Sequence, residues 1–142
     1  MAKTVKNVVK RSTGQKKEKP DARMEIFQKL RKILSKYSPP LVVISDFDSR
    51  YELVSKKEVE FNGRKYDQMY FGATIIQSNY VGLYLMHVYA QPGNVDKISP
   101  ELRKCLKGKS CFHIQSADDK LMKQVETTVR DGIECYKKLK FM

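Results

Sequence analysis

Tyr66-Asp67-Gln68-Met69-Tyr70-Phe71-Gly72-Ala73-Thr74-Ile75-Ile76-Gln77-Ser78-Asn79-Tyr80-Val81-Gly82-Leu83-Tyr84-Leu85-Met86-His87-Val88-Tyr89 is the stretch that decides the fold. It reads as two strands around a turn at Gln77-Ser78-Asn79, a β-hairpin with almost no polar face. A strand with one wet face alternates apolar with polar residues. Here the alternation is missing, so both faces are expected to be covered, or one of them to line a pocket or a partner surface. A two-residue loop at Ser78-Asn79 would pair Ile76 with Val81, Thr74 with Leu83, Gly72 with Leu85 and Tyr70 with His87. The opposite face would then carry Phe71, Ala73, Ile75, Gly82, Tyr84, Met86 and Val88.

Upstream, Asp21 is a plausible N-cap, and Met24, Phe27, Leu30, Ile33, Leu34 and Tyr37 recur at steps of three and four, the mark of an amphipathic helix. Pro39-Pro40 ends it. Leu41 to Ile44 and Tyr51 to Val54 read as short strands about a polar turn, and Asn62-Gly63 marks a small excursion at the sheet edge. Downstream, Ser99-Pro100 starts a short helix that would end at Gly108, and Lys109 to Gln115 reads as a last strand. Ser116 and Asp119 resemble a capping box ahead of a second long helix, with Leu121, Met122, Val125, Val129, Ile133 and Tyr136 on its apolar stripe. The order helix, four or five strands, short helix, strand, helix describes a single α+β domain.

Residues 1–23 stand apart. They hold Lys3, Lys6, Lys10, Arg11, Lys16, Lys17, Lys19 and Arg23 against Glu18 and Asp21, half of the chain's net charge of +12. Without a sustained apolar period they read as a disordered basic tail, and residues 24–142 as the folded domain. Seven of these cations, Lys3, Lys6, Lys10, Arg11, Lys16, Lys17 and Lys19, form a candidate polyanion-binding set.

Three cysteines, Cys105, Cys111 and Cys135, form an odd set without a CxxC pair, which fits reduced thiols and a cytoplasmic protein better than a disulfide framework. There is no apolar run of membrane-spanning length and no apolar signal segment, so no membrane association is expected. Ser110-Cys111 has only His113 nearby and no orienting acid, and the glycines form no phosphate loop. The sequence therefore names no catalytic residue, no metal ligand and no cofactor. His87, His113 and Cys111 lack metal-ligand spacing.

The segments Ile98-Ser99-Pro100-Glu101-Leu102-Arg103-Lys104, Leu106-Lys107-Gly108-Lys109-Ser110-Cys111-Phe112 and Val129-Arg130-Asp131-Gly132-Ile133 resemble the YdhG-like family of domains of unknown function. So do Tyr70-Phe71-Gly72 and Val81 to His87 in the hairpin. The resemblance covers roughly residues 24 to 140 and implies a curved antiparallel sheet of about five strands packed with an N-terminal and a C-terminal amphipathic helix. Some members have been associated with frataxin-like iron delivery, which here would need Asp46, Asp48 and Glu52 to converge with a further oxygen ligand.

The resulting expectation is a non-enzymatic binding domain, monomer or dimer, that takes a small molecule or a protein at the hairpin. If Gly72 and Thr74 leave space beside Tyr70, Leu85 and His87, these five residues line an apolar cavity with polar tips. The rival readings are a nucleic-acid-associated protein, with weak salt-dependent binding through the tail and surface lysines, and an iron chaperone by family analogy. Tyr70, Tyr80, Tyr84 and Tyr89 read either as a stacking platform for bases or, preferred here because the lysines cluster elsewhere, as rings buried with hydroxyls reaching out.

Overall fold

Ile26, Phe27, Leu30, Ile33 and Leu34 are buried along one stripe of helix α1 (Ala22–Ser35), as their spacing requires. The computed structural model describes residues 22–142; Asp21 and the basic segment before it, with all seven proposed polyanion-binding cations, lie outside the described residues. After α1 the chain forms strands β1 (Val42–Phe47), β2 (Arg50–Ser55), β3 (Val59–Phe61), β4 (Arg64–Tyr66), β5 (Met69–Ile76) and β6 (Val81–Leu85). Then come helix α2 (Met86–Ala90), a 3₁₀ segment (Pro92–Lys97), helix α3 (Pro100–Arg103), β7 (Leu106–Lys107), β8 (Cys111–Ile114) and helix α4 (Asp119–Lys138).

Six strands form one antiparallel sheet in the order β1-β2-β5-β6-β8-β7, and β3 and β4 form a separate two-stranded hairpin. The α+β class is as expected, with one more strand in the sheet than the sequence suggested. The extra strand is β7: Gly108 does not close the short helix but turns β7 into β8 at φ +84°, where a Cβ would be strained. The Asn62-Gly63 turn joins β3 to β4 with both residues at positive φ, 53° and 77°, the geometry that matches the twist of a tight hairpin.

The β5–β6 register follows the two-residue loop: Ile76 pairs with Val81, Thr74 with Leu83 and Gly72 with Leu85, and Gln77 N donates to Tyr80 O at 2.9 Å. Its far end differs. Tyr70 does not pair with His87, because the chain leaves the sheet after Leu85 and coils into α2. That turn of helix drives His87 and Val88 into the core, where the His87 ring lies parallel to Phe71 at 6.5 Å. An apolar run without alternation fits either conformation, and burial decides.

Helix α1 lies against β5 and β6, and α4 packs on α1, α2 and α3, so the helices gather on one side of the sheet. Asp118, rather than Ser116, caps α4 by accepting the Leu121 N–H at 3.1 Å; Ser116 Oγ instead accepts the Asp118 N–H. Among the described residues no helix is long and apolar enough to cross a membrane.

Candidate functional site

Cross-strand partners share a face of a sheet, and the register sorts the hairpin into two sets. Tyr51, Thr74, Leu83 and Phe112 stand in one row across β2, β5, β6 and β8, and Leu53, Gly72 and Leu85 in the next. All seven are buried on the side where the helices pack. The other set is Arg50, Ile75, Gly82 and His113 in one row and Glu52, Ala73, Tyr84 and Cys111 in the next. Helices α1 and α4 lie on the first face, and α2 reaches the edge of this second one through Met86.

A bulge adds Tyr70 to that face. Leu53 pairs with Gly72 whereas Val54 pairs with Tyr70, so β5 carries one extra residue, Phe71. Phe71 turns into the core, edge-on to Tyr136 at 5.2 Å, and the Tyr136 hydroxyl donates to the Tyr70 carbonyl. The Tyr70 side chain is thereby released to this second face, where its hydroxyl donates to Glu52 Oε2 at 2.6 Å. Gly72 is what allows the close crossing: a Cβ there would lie 2.6 Å from the Tyr84 carbonyl oxygen.

Glu52 is held by three donors, Tyr70, the Ser45 hydroxyl at 2.8 Å and the Arg50 guanidinium at 3.2 Å. Burial by itself raises its carboxyl, but these bonds outweigh it and keep the group below the ordinary carboxylate range, hence ionised. Burial, reinforced by the bond to Glu52, pushes the Tyr70 phenol up, so it stays a neutral donor. Three of the carboxylate's roughly four acceptor positions are thereby taken.

Beside this network the face turns aromatic. The half-buried Tyr84 ring brings its hydroxyl end over Gly82: a Cβ on Gly82 would sit 2.8–3.0 Å from Cε2, Cζ and Oη. The missing side chain leaves the ring that room. The Gln77 amide fixes the far end, donating to the Tyr84 hydroxyl at 3.2 Å. In the adjoining row Tyr80 and His113 stack with centroids 3.7 Å apart and planes 12° apart. Next to Tyr84 opens a hollow of about 230 Å³ lined by Tyr70, Ile75, Met86 and Ser110.

Of the five residues expected to line a cavity, the structure places only Tyr70 here. Gly72, Thr74, Leu85 and His87 belong to the buried side, all at 1 % exposure or less apart from the glycine, which is also buried. His87 is neutral, its pKa lowered to about 4 by burial and secondarily by Lys97, and among the described residues its Nδ1 has no hydrogen-bond partner. Tyr89 leaves the hairpin altogether, exposed on α2 beneath the Lys109 ammonium at 5.5 Å. Asp46 pairs with Arg31 of α1 while Glu52 serves Tyr70, so the carboxylates considered for iron do not converge. Among the described residues no three His, Cys, Asp or Glu side chains form a metal-sized cluster. Burial raises the Cys111 thiol, which disfavours a nucleophilic thiolate.

The sequence reading takes up Gly82 and His113 separately and does not pair them with Tyr84 and Tyr80, against which the structure sets them. The legible signal was Gly82-Leu83-Tyr84, a glycine two residues before an aromatic on one strand face. Elsewhere, a groove of about 240 Å³ between α1 and α4 is lined by Lys29, Lys32, Ile33, Lys36, Met122 and neighbouring acids. Lys29 and Lys36 there are engaged with Glu25 at 3.6 Å and Glu126 at 3.1 Å. No family model, no curated protein and no solved structure matches the chain.

Proposed function

We propose that the protein is a non-enzymatic binding domain that takes a flat, ring-containing ligand on the face of β5, β6 and β8 opposite α1 and α4. The observation that carries this reading is the parallel Tyr80–His113 stack, beside the hollow and the Tyr84 ring that reaches over Gly82. A ring already fixed in place loses little freedom when a second ring stacks on it, so its area converts to affinity efficiently. The hollow adds apolar contact, with Ser110 as a polar edge. Three residues of this face, Tyr70, Gly82 and Tyr84, lie in the hairpin segments that carry the YdhG-like resemblance, and we propose membership of that family on the same footing. With its three thiols free, the proposed setting is the cytosol.

Titrating planar fragments (indole, purine) and saturated rings of equal size, with Gly82→Ala as the comparison protein, tests the proposal. The new methyl group pushes the Tyr84 ring off the sheet. Planar fragments should bind the native protein better than saturated ones, and Gly82→Ala should erase that preference. Equal binding of both ring types, or a preference that survives Gly82→Ala, contradicts the proposal.

A further inference from the structure

Thr128, Asp131, Gly132 and Cys135 recur at steps of three and four along α4, so they share one stripe of that helix. The stripe is small and polar, and it meets α2 and the 3₁₀ segment. Three of the five buried polar side chains in the described protein, His87, Asn94 and Thr128, gather there. Buried polar groups are the informative exceptions in a core, and each calls for a partner. Asn94 commits its amide nitrogen to the His87 carbonyl at 3.0 Å and to Cys135 Sγ at 3.5 Å, which leaves its Oδ1 as an acceptor. His87 is 1 % exposed, and its Nδ1 lies over Gly132, in the turn of α4 that carries Thr128 and Asp131. Among the described residues that nitrogen has no hydrogen-bond partner. An inner hollow of about 10 Å³, room for one water-sized group, is bounded by His87, Asn94, Thr128 and Asp131. An outer one of about 250 Å³ adjoins it, reaching Gln91, Glu134 and Lys138; the two share Asn94, Lys97 and Asp131.

We infer that the two hollows form a binding site for a small zwitterion, an α-amino acid, with its ammonium in the inner hollow and its carboxylate between Lys97 and Lys138. The inner wall is rich in acceptors: the Asp131 carboxylate, Asn94 Oδ1, the Thr128 hydroxyl and, with its proton on Nε2, the neutral His87 ring. A primary ammonium is water-sized and brings three donors to them. At the rim, Lys97 and Lys138 are exposed, and neither they nor Asp131 enter an ion pair among the described residues. A simple carboxylate would meet Asp131 unmatched, and a simple amine would meet the two lysines unmatched; a molecule carrying both charges answers both. The outer hollow is smaller than the ~300 Å³ at which drug-sized sites begin, so the ligand has few heavy atoms. The site is built on the helix side of the sheet and stands independently of the ring-binding face.

The test is a nuclear magnetic resonance titration of the full chain, labelled with ¹⁵N at its two histidines, His87 and His113. The probe is L-alanine; propionate, which lacks the ammonium, and ethylamine, which lacks the carboxylate, are the controls. Alanine should shift the His87 ring nitrogens saturably and leave His113, on the other face of the sheet, unmoved. Propionate and ethylamine should each bind at least about tenfold more weakly, since each forfeits a set of charge-assisted hydrogen bonds. Asp131→Asn, which keeps the shape and removes the charge, should weaken alanine about tenfold. Lys97→Gln combined with Lys138→Gln should do the same, and serves if Asp131→Asn does not fold. No His87 shift with alanine at tens of millimolar would overturn the inference, leaving the inner hollow to a structural water. Equal shifts with propionate or ethylamine, or alanine binding indifferent to both sets of variants, would overturn it in favour of undirected charge attraction.

Discussion

Gly72 and Gly82 sit one on each face of the same hairpin and do opposite jobs. Gly82 is a seat for an aromatic ring, whereas Gly72 is a crossing point where the backbone of β6 comes too close for a Cβ. Gly72→Leu is therefore expected to overpack the sheet and cost roughly 1–3 kcal/mol in urea unfolding; an unchanged midpoint would show open space at that position. His87 is a second residue whose role is internal. Its folded pKa, about 4, lies below the ordinary histidine value, so the unfolded chain binds the extra proton as pH falls. The contribution of a neutral His87 is complete above about pH 6.5 and declines as pH drops toward 4, amounting to about 2 kcal/mol lost between about pH 7 and pH 5. Urea titrations at those two pH values should show that loss, and His87→Gln should flatten it; a wild-type stability independent of pH in this window contradicts the buried neutral imidazole. The two-residue loop separated Gly72 from Gly82 correctly, but sequence did not say which face the helices cover, and the bulge that turns Phe71 inward and Tyr70 outward left no local mark.

The long elements were legible because their periodicity is redundant. Five buried positions on α1 and nine on α4 repeat the same signal, so no single residue could mislead. The Asn62-Gly63 hairpin was equally plain, because few residue pairs accept positive φ twice in succession. Short elements carry no such redundancy. Met86 to Ala90 is apolar apart from His87, and its helical turn is selected by the room that Gly132 leaves for the His87 ring on α4: a Cβ there would come within 2.5 Å of Nδ1. That is a contact between segments 45 positions apart and has no local trace. At this scale the cap of α4 gives a direct prediction. Asp118→Ala removes the acceptor for the Leu121 N–H and should destabilise the protein by about 1 kcal/mol, whereas Ser116→Ala, outside the helix-capping bond, should cost less. Equal effects on the thermal midpoint would point to Ser116 as the working cap.

As a whole the molecule is two-layered, helices on one side of a six-stranded sheet and the opposite side left to the aromatic rings and the Glu52 network. Coverage on one side only is what the apolar hairpin disguised in sequence: Ala73 is fully buried on the opposite face, in the row of Glu52 and Tyr84, so its strand looks two-sided without a second layer of helices. The charge distribution was visible from the start: half of the net charge of +12 falls in residues 1–23, most of them outside the described residues. The central claim is that this face is where a ligand lands. It is tested most directly by intermolecular nuclear Overhauser effects between a bound planar probe, adenosine, and the protein's side chains. The account predicts cross-peaks from the adenine ring to the ring protons of Tyr84, with Tyr80 and His113 alongside. Cross-peaks confined to Ile33 and Met122 in the groove between α1 and α4 would contradict it.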